Sequence, residues 1–399
     1  MKKTLLAAAL VTGFAGVAHA ESSVTLYGLV DAGYGYQNIE TKYRGDYTNG
    51  KISDRNFGVR SGVMNGNRWG LKGTEDLGNG TSAIFVLESG FDLGTGESAQ
   101  GGRLFGRQAY VGLTGDSWGT FTIGRQYNAA DAFVAPIDPF GTGGLYAAAG
   151  TIFGGSLSAR YDRAIKYVSP NFSGFQFGLG VVHDDNREKT SGPLFGGDTK
   201  TSDRLFGVTT GLGYTNGPIY VGASFDYIND KRKVNGVTTL DAKTKAWNIG
   251  GTYDFDVVKL HLMYGGQADG TIDGVGDLAG AAAESILDYG PAVQNPGSFG
   301  GDGLKQHSWL AGLSAPVGDA GKLMFSYAGN TVKNTDVYPD VKVKSHNFAL
   351  GYRHSLSKRT SVYGVASYGW SNAKERRDNF NGKVKTTATQ AIVGLQHRF

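Results

Sequence analysis

Few side chains in this chain are spaced for making or breaking bonds. There is no Cys, which removes thiol catalysis, iron–sulfur ligation, Cys-based zinc sites and any disulfide framework. His183, His261, His307, His346, His354 and His397 fall singly, at spacings that suit no metal site. No H-E-x-x-H, G-x-S-x-G or P-loop pattern occurs. Asp269, Asp273 and Asp277 with interleaved Gly hint at a calcium loop, but Gly280 stands where an EF-hand needs its bidentate Glu. These residues therefore predict no enzyme, no metal and no cofactor. What remains is a set of cations. Arg68 and Lys72 share one parity of an alternating segment, with Trp69 and Leu71 on the other. Charges fixed beside a watery passage select ions, provided that some architecture puts them there.

Composition narrows that architecture. Of 399 residues 64 are Gly and only 9 are Pro, and aromatics make up 12%. This is far more Gly than usual, without a collagen period. A net charge of +4 is too weak a bias to predict nucleic-acid binding. Lys2 and Lys3, the apolar stretch 4–18 and Ala18-His19-Ala20 read as an export signal cleaved after Ala20, leaving residues 21–399 as one domain. Beyond residue 20 no apolar run reaches the roughly 18 residues of a membrane helix. A membrane β-barrel stays open, because its strands alternate.

The period is two almost throughout. Ile219, Val221, Ala223, Phe225 and Tyr227 oppose Tyr220, Gly222, Ser224 and Asp226; Trp309, Ala311, Leu313 and Ala315 oppose Ser308, Leu310, Gly312 and Ser314. One face is apolar. The other is polar or glycine, with very few large apolar residues. Tyr167, Tyr214, Tyr227, Tyr253, Phe255, Tyr264, Tyr327, Tyr352 and Phe399 sit near strand ends on the apolar face. Aromatic girdles at two membrane interfaces explain that placement better than a sandwich core does. Short turns near 75–80, 115–119, 170–174, 215–218, 254–256, 317–321 and 355–359 alternate with long loops near 37–55, 92–103, 128–160, 184–203, 229–243, 266–305, 331–343 and 372–384. The pattern predicts an all-β fold: a 16-stranded antiparallel transmembrane barrel, short turns periplasmic and long loops outside. So many strands leave a lumen too wide for side chains to fill.

Five stretches carry a family resemblance: Val24-Thr25-Leu26-Tyr27-Gly28; residues 67–78 (NRWGLKGTEDLG); Arg107-Gln108-Ala109-Tyr110-Val111-Gly112-Leu113 with Gly124-Arg125-Gln126-Tyr127; Tyr167-Val168-Ser169-Pro170-Asn171-Phe172; and Val393-Gly394-Leu395-Gln396-His397-Arg398-Phe399. In this order they resemble the trimeric general porins of Gram-negative outer membranes, most closely the beta-proteobacterial and neisserial branch. The resemblance implies an outer-membrane homotrimer in contact with lipopolysaccharide, passing small hydrophilic solutes and anions. It implies that loop 128–160 folds inward and narrows the pore. Arg68, Arg107 and Arg163, with Lys72 and Arg125 nearby, would face the loop acid Asp138, with Asp131 matching less well. Periodicity leaves Arg107 undecided; only the resemblance turns it inward. The terminal Phe399, with His397, Leu395 and Val393, looks like the signal read by the outer-membrane assembly machinery. A substrate-specific porin, an outer-membrane protease or lipase barrel, and an adhesin are the alternatives left open.

Overall fold

The computed structural model describes residues 23–45, 49–153, 157–192, 198–270, 302–334, 340–377 and 380–399. The expected export signal, Asp273 and Asp277 lie outside these. The alternating segments pair antiparallel with their neighbours and close into a 16-stranded barrel. Strand β1 (Ser23–Gly45) bonds along one edge to the last strand, β17 (Phe380–Arg398), from Leu29 opposite Arg398 to Gly45 opposite Gly382. Its other edge is shared between β2 (Asn49–Ser61) and β3 (Arg68–Gly78). These two are one barrel strand interrupted by residues 62–67, so the number of segments exceeds the number of barrel strands by one. The wall continues through β4 (Thr81–Gly90), β5 (Gln108–Gly115), β6 (Gly119–Tyr127), β7 (Arg160–Val168), β8 (Phe175–Thr190), β9 (Thr199–Asn216), β10 (Ile219–Val234), β11 (Val237–Asp254), β12 (Lys259–Asp269), β13 (Leu304–Val317), β14 (Gly321–Asn334), β15 (Asp340–Ser355) and β16 (Thr360–Arg377). Closure leaves the sheet without an open edge, so neighbouring strands supply one another's backbone partners, which lipid requires.

All the short turns fall where the sequence predicts them, all but 355–359 at Gly, Asn or Asp. Asn79 and Gly80, both at positive φ, form one of them. Most of the expected long loops are shorter than the sequence suggests. β1 runs to Gly45, β8 to Thr190, β10 to Val234, β14 to Asn334 and β16 to Arg377, each well into an expected loop. The stretch 229–243 is a hairpin turning at Asn235-Gly236, again at positive φ. These Thr-, Lys- and Asp-rich strand ends have no apolar outer face because they stand beyond the bilayer, which needs only about 9–11 residues per strand. Two rows of aromatics mark the bilayer edges. Tyr253–Phe255 (4.4 Å) and Tyr167–Phe177 (5.8 Å) lie toward the short turns, and Trp247–Tyr264 (5.6 Å) and Phe348–Trp370 (6.0 Å) toward the loops.

The buried apolar core lies inside the tube. The segment between β6 and β7 folds inward as a helix Ala129–Phe133, a 3-10 turn Ala135–Ile137 and a helix Ala149–Ile152. Its Phe133, Val134, Ile137, Phe140, Leu145 and Ile152 pack with inward-facing Met263, Leu310, Met324, Val365 and Ile392. The inner wall is thus less uniformly polar than its sequence suggests, and the loop covers its apolar part. Polar wall groups fasten the loop backbone. Tyr220 Oη donates to Phe133 O (2.7 Å), Ser326 Oγ to Ala147 O (2.8 Å), and Gln306 Nε2 and Ser308 Oγ to Ile152 O (both 3.0 Å). A ring nitrogen of His261 meets Ile137 O at 2.6 Å.

Glycine makes this fit possible. The Phe133 ring lies over Gly178, Gly211 and Gly213, and a Cβ on Gly222 would stand 1.9 Å from the Phe133 carbonyl oxygen. Gly222→Val should therefore lift helix 129–133 from the wall. Overpacking of this kind costs roughly 1–3 kcal/mol. The expected result is a lower unfolding midpoint together with chymotrypsin cleavage near Phe133 in a barrel that remains closed. Unchanged protease resistance would show that the loop is seated elsewhere.

Candidate functional site

With the loop laid along β8 to β16, a smaller cavity lined by Asp138, Lys259 and Lys322 remains beside it, and a larger opening lies against β3 to β7. It is a cavity of about 720 Å³ lined by Arg68, Glu88, Arg107, Tyr127, Arg160 and Lys166 from the wall side and Asp131, Pro136, Gly143 and Ser158 from the loop. Alternation on β3 puts Arg68, Gly70 and Lys72 on the inner side, with Gly70 opposite Glu88 and Lys72 opposite Val86 of β4, and Trp69 and Leu71 on the outer. Arg68 Nε donates to Gly66 O (3.1 Å), which steadies the guanidinium beside the opening. Lys72 lies over the Tyr27 ring at 5.5 Å, nearer the short-turn end and outside the cavity lining.

Arg107 precedes β5, so strand parity does not govern it. Its buried guanidinium donates from Nε to Glu88 Oε1 (2.7 Å) and from Nη2 to Tyr127 Oη (2.7 Å). Arg160, the first residue of β7, donates to the same Tyr127 oxygen at 2.5 Å, and its guanidinium carbon stands 4.3 Å from the ring centre. Tyr127 thus holds two guanidinium groups close together, a like-charge pairing that the ring face and Glu88 offset. Lys166 Nζ donates to Tyr127 O (3.0 Å). On the loop side Ser158 Oγ donates to Asp131 Oδ1 (3.1 Å). Burial pushes the Asp131 carboxyl above the ordinary carboxylate range, against the pull of Ser158, Arg160 and Lys166.

Besides Lys72, three residues expected at the constriction stand elsewhere. Between β6 and β7 the register slips at Gly124–Gln126, so that Asp162 and Arg163 together oppose Arg125. This bulge re-aims the side chains around it. Arg125, on the side of Phe121 and Ile123, pairs with Asp162 (2.5 Å), which also holds Arg103 (2.9 Å). Arg163, at φ 53°, is largely exposed and pairs with Asp184. Asp138 faces no arginine. It is buried, and its carboxylate accepts the backbone N–H groups of Phe140 (2.9 Å), Thr142 (3.0 Å) and Ala149 (2.7 Å). It knits the loop's turn together, and burial raises its carboxyl despite those donors. Sequence reasoning missed Arg160, Lys166 and Glu88. The alternation of Ile165 and Tyr167 outward could have pointed Lys166 inward.

The break between β2 and β3 completes the rim. Residues 62–67 turn in toward the loop tip, where Gly144 N donates to Val63 O (3.0 Å). Asp31, fully buried on β1, holds this inlet. It accepts from Met64 N (3.1 Å), Asn65 N (3.0 Å), Tyr363 Oη (2.6 Å) and Gln396 Nε2 (3.0 Å). At the barrel's end the Phe399 ring fills the space over Gly28, and the two residues exchange backbone hydrogen bonds of 3.0 and 3.1 Å.

The sequence and the barrel both have counterparts among known proteins. The chain is 42% identical to an outer membrane porin protein of Bordetella pertussis, over the full length of both. It is 31% identical to outer membrane porin protein 32 of Delftia acidovorans, again over both full lengths. Among solved structures it is similar to an anion-selective porin from Comamonas acidovorans, with a TM-score of 0.61 at 25% identity, covering 95% of this chain and 100% of that one. Residues 6–375 match the Gram-negative porin pattern, and the chain belongs to that family, as a β-barrel of the outer membrane.

Proposed function

We propose that this porin is a general-diffusion channel that prefers anions, with Arg68, Arg107, Arg160 and Lys166 as the selective lining. The observation that carries the reading is their number: among the described residues these cations border one cavity with only Glu88 and Asp131 as acids. Arg107 is tied to Glu88 at 2.7 Å, so the remaining charge facing the passage is positive. Fixed charges at a narrow point set ion preference. Small hydrophilic solutes and ions are the cargo. The exposed Tyr34–Phe57 pair (4.9 Å) and Val59 on β1 and β2 offer an apolar patch for other copies in a homotrimer. Lipopolysaccharide would surround the outer half, and the assembly machinery would read Phe399 with Leu395 and Val393, which face outward. The likeness to an anion-selective porin agrees with this reading.

Unit charges about 4 Å apart interact by about 1 kcal/mol in water and about 4 kcal/mol at an effective dielectric of 20. Reversing charges at the opening should therefore change relative ion occupancy several-fold. Arg160→Glu with Lys166→Glu should move the zero-current potential in a salt gradient toward cation selectivity, while Arg163→Glu should move it little. An unmoved potential in the double variant would place the filter elsewhere.

Deleting Phe399 should lower the amount of assembled trimer in the outer membrane much more than it alters the conductance of molecules that do assemble. Equal trimer levels by heat-modified gel migration would reduce this residue to a girdle aromatic.

A further inference from the structure

Beyond the loop-side aromatics the outer wall carries cations in register. Lys305 on β13 lies opposite Lys333 on β14, Lys333 opposite Lys342 on β15, Lys342 opposite Lys374 on β16, and Lys374 opposite Lys383 on β17. Arg44 on β1 then faces Lys383. Lys344 and Lys385 stand two residues nearer the girdle. All are exposed, while Leu304, Val332, Val343, Ala373 and Val384 beside them in sequence are buried. The cations therefore share the outer face with Trp309, His346 and Trp370.

Like charges directly opposed across a ladder are destabilising. Elsewhere on the outer rim the chain supplies acids: Lys42 and Lys51 share Glu40, Lys231 meets Asp241, and Arg232 meets Asp203. Among the described residues Lys305, Lys333, Lys342, Lys344 and Lys374 make no ion pair. No acid among the described residues offsets their repulsion, and a partner of opposite charge would.

Height chooses the partner. Lys305, Lys342 and Lys374 lie four residues beyond Trp309, His346 and Trp370, about 13 Å along a strand. Aromatic belts mark the edge of the hydrocarbon, so the row stands at the headgroups of the outer leaflet. Clusters of basic side chains at that level attract anionic headgroups. Lysine suits this task, since its compact ammonium meets a phosphate from many directions. A second copy of the chain would have to present an acidic strip to the row.

We propose that Lys305, Lys333, Lys342, Lys344 and Lys374 form a binding strip for the phosphate groups of lipopolysaccharide. This rests on the lipid contact proposed above and gives it a site. The test titrates the purified trimer in detergent with fluorescent diphosphorylated lipid A, with dephosphorylated lipid A and with inorganic phosphate. The variant carries Lys305→Gln, Lys333→Gln, Lys342→Gln, Lys344→Gln and Lys374→Gln, and a control carries Lys200→Gln with Lys233→Gln. Conductance and heat-modified migration verify folding, and Lys342→Gln with Lys374→Gln replaces the larger variant if it fails to fold. The expected loss for lipid A is more than about tenfold in the larger variant and smaller but measurable in the double one, with the control unchanged and dephosphorylated lipid bound weakly and equally by all. Wild-type protein that ignores lipid A overturns the lipid contact and the site together. Full binding by the folded variant overturns the site alone. Inorganic phosphate held as tightly as lipid A makes the strip a free-anion site and overturns the lipid assignment. Dissociation of the variant's trimer with lipid binding intact assigns the row to another copy and also overturns it.

Discussion

The aperture depends on one close approach, the Phe133 backbone pressed against a wall that has no side chain at Gly222. A barrel of this size cannot fill itself, so its narrowing must come from a segment lying along the wall. That segment brings backbone polar groups into the lumen, and each must find a partner. Tyr220, His261, Gln306, Ser308 and Ser326 point inward from β10, β12, β13 and β14 to supply them. The loop's apolar side chains bury against Met263, Leu310 and Met324, which would otherwise face water. Loop and wall thus form the core of a protein whose exterior is itself apolar.

This arrangement also decides where charge can act. The loop lies along β8 to β16 and leaves β3 to β7 bare, and Arg68, Arg107, Arg160 and Lys166 gather on that side, with Lys259 and Lys322 apart from them across the loop. Glu88 and Tyr127 organise them. Glu88 holds Arg107 within the wall, and Tyr127 spaces Arg107 from Arg160 while leaving both directed at the passage. Two acids of the loop divide the remaining work. Asp138 is spent on backbone N–H groups and shapes the turn, whereas Asp131 lies among the cations.

The barrel was largely legible because two signals recur along the chain, period-two hydropathy and turn residues that tolerate positive φ. Asn79-Gly80 was read as a turn by that rule. Asn235-Gly236 obeys the same rule but was read as part of a long loop, because the polar strands around it carry no membrane-facing stripe. The constriction was harder to read. Parity places Arg68, and would have placed Lys166, but it fails across the bulge that turns Arg125 and Arg163 away. A bulge is set by pairing between strands distant in sequence, and no local pattern of residue types announces it. Asp138 shows the same limit, since three backbone donors from its own loop outweigh any pull from arginines on the opposite wall.

The carboxylate of Asp31 bears on the order of assembly. Its donors lie 33, 34, 332 and 365 residues away. The near pair arrives with the first hairpin, but Tyr363 and Gln396 arrive only when the last two strands meet the first. Until then the acid is incompletely served, and an unserved carboxylate resists burial. An unfinished sheet therefore keeps its seam wet at this point. Once the seam shuts, the same acid is sealed from water, and reopening must expose it again. One short side chain so works as a latch that engages on completion, distinguishing a finished cylinder from a sheet of nearly the right width.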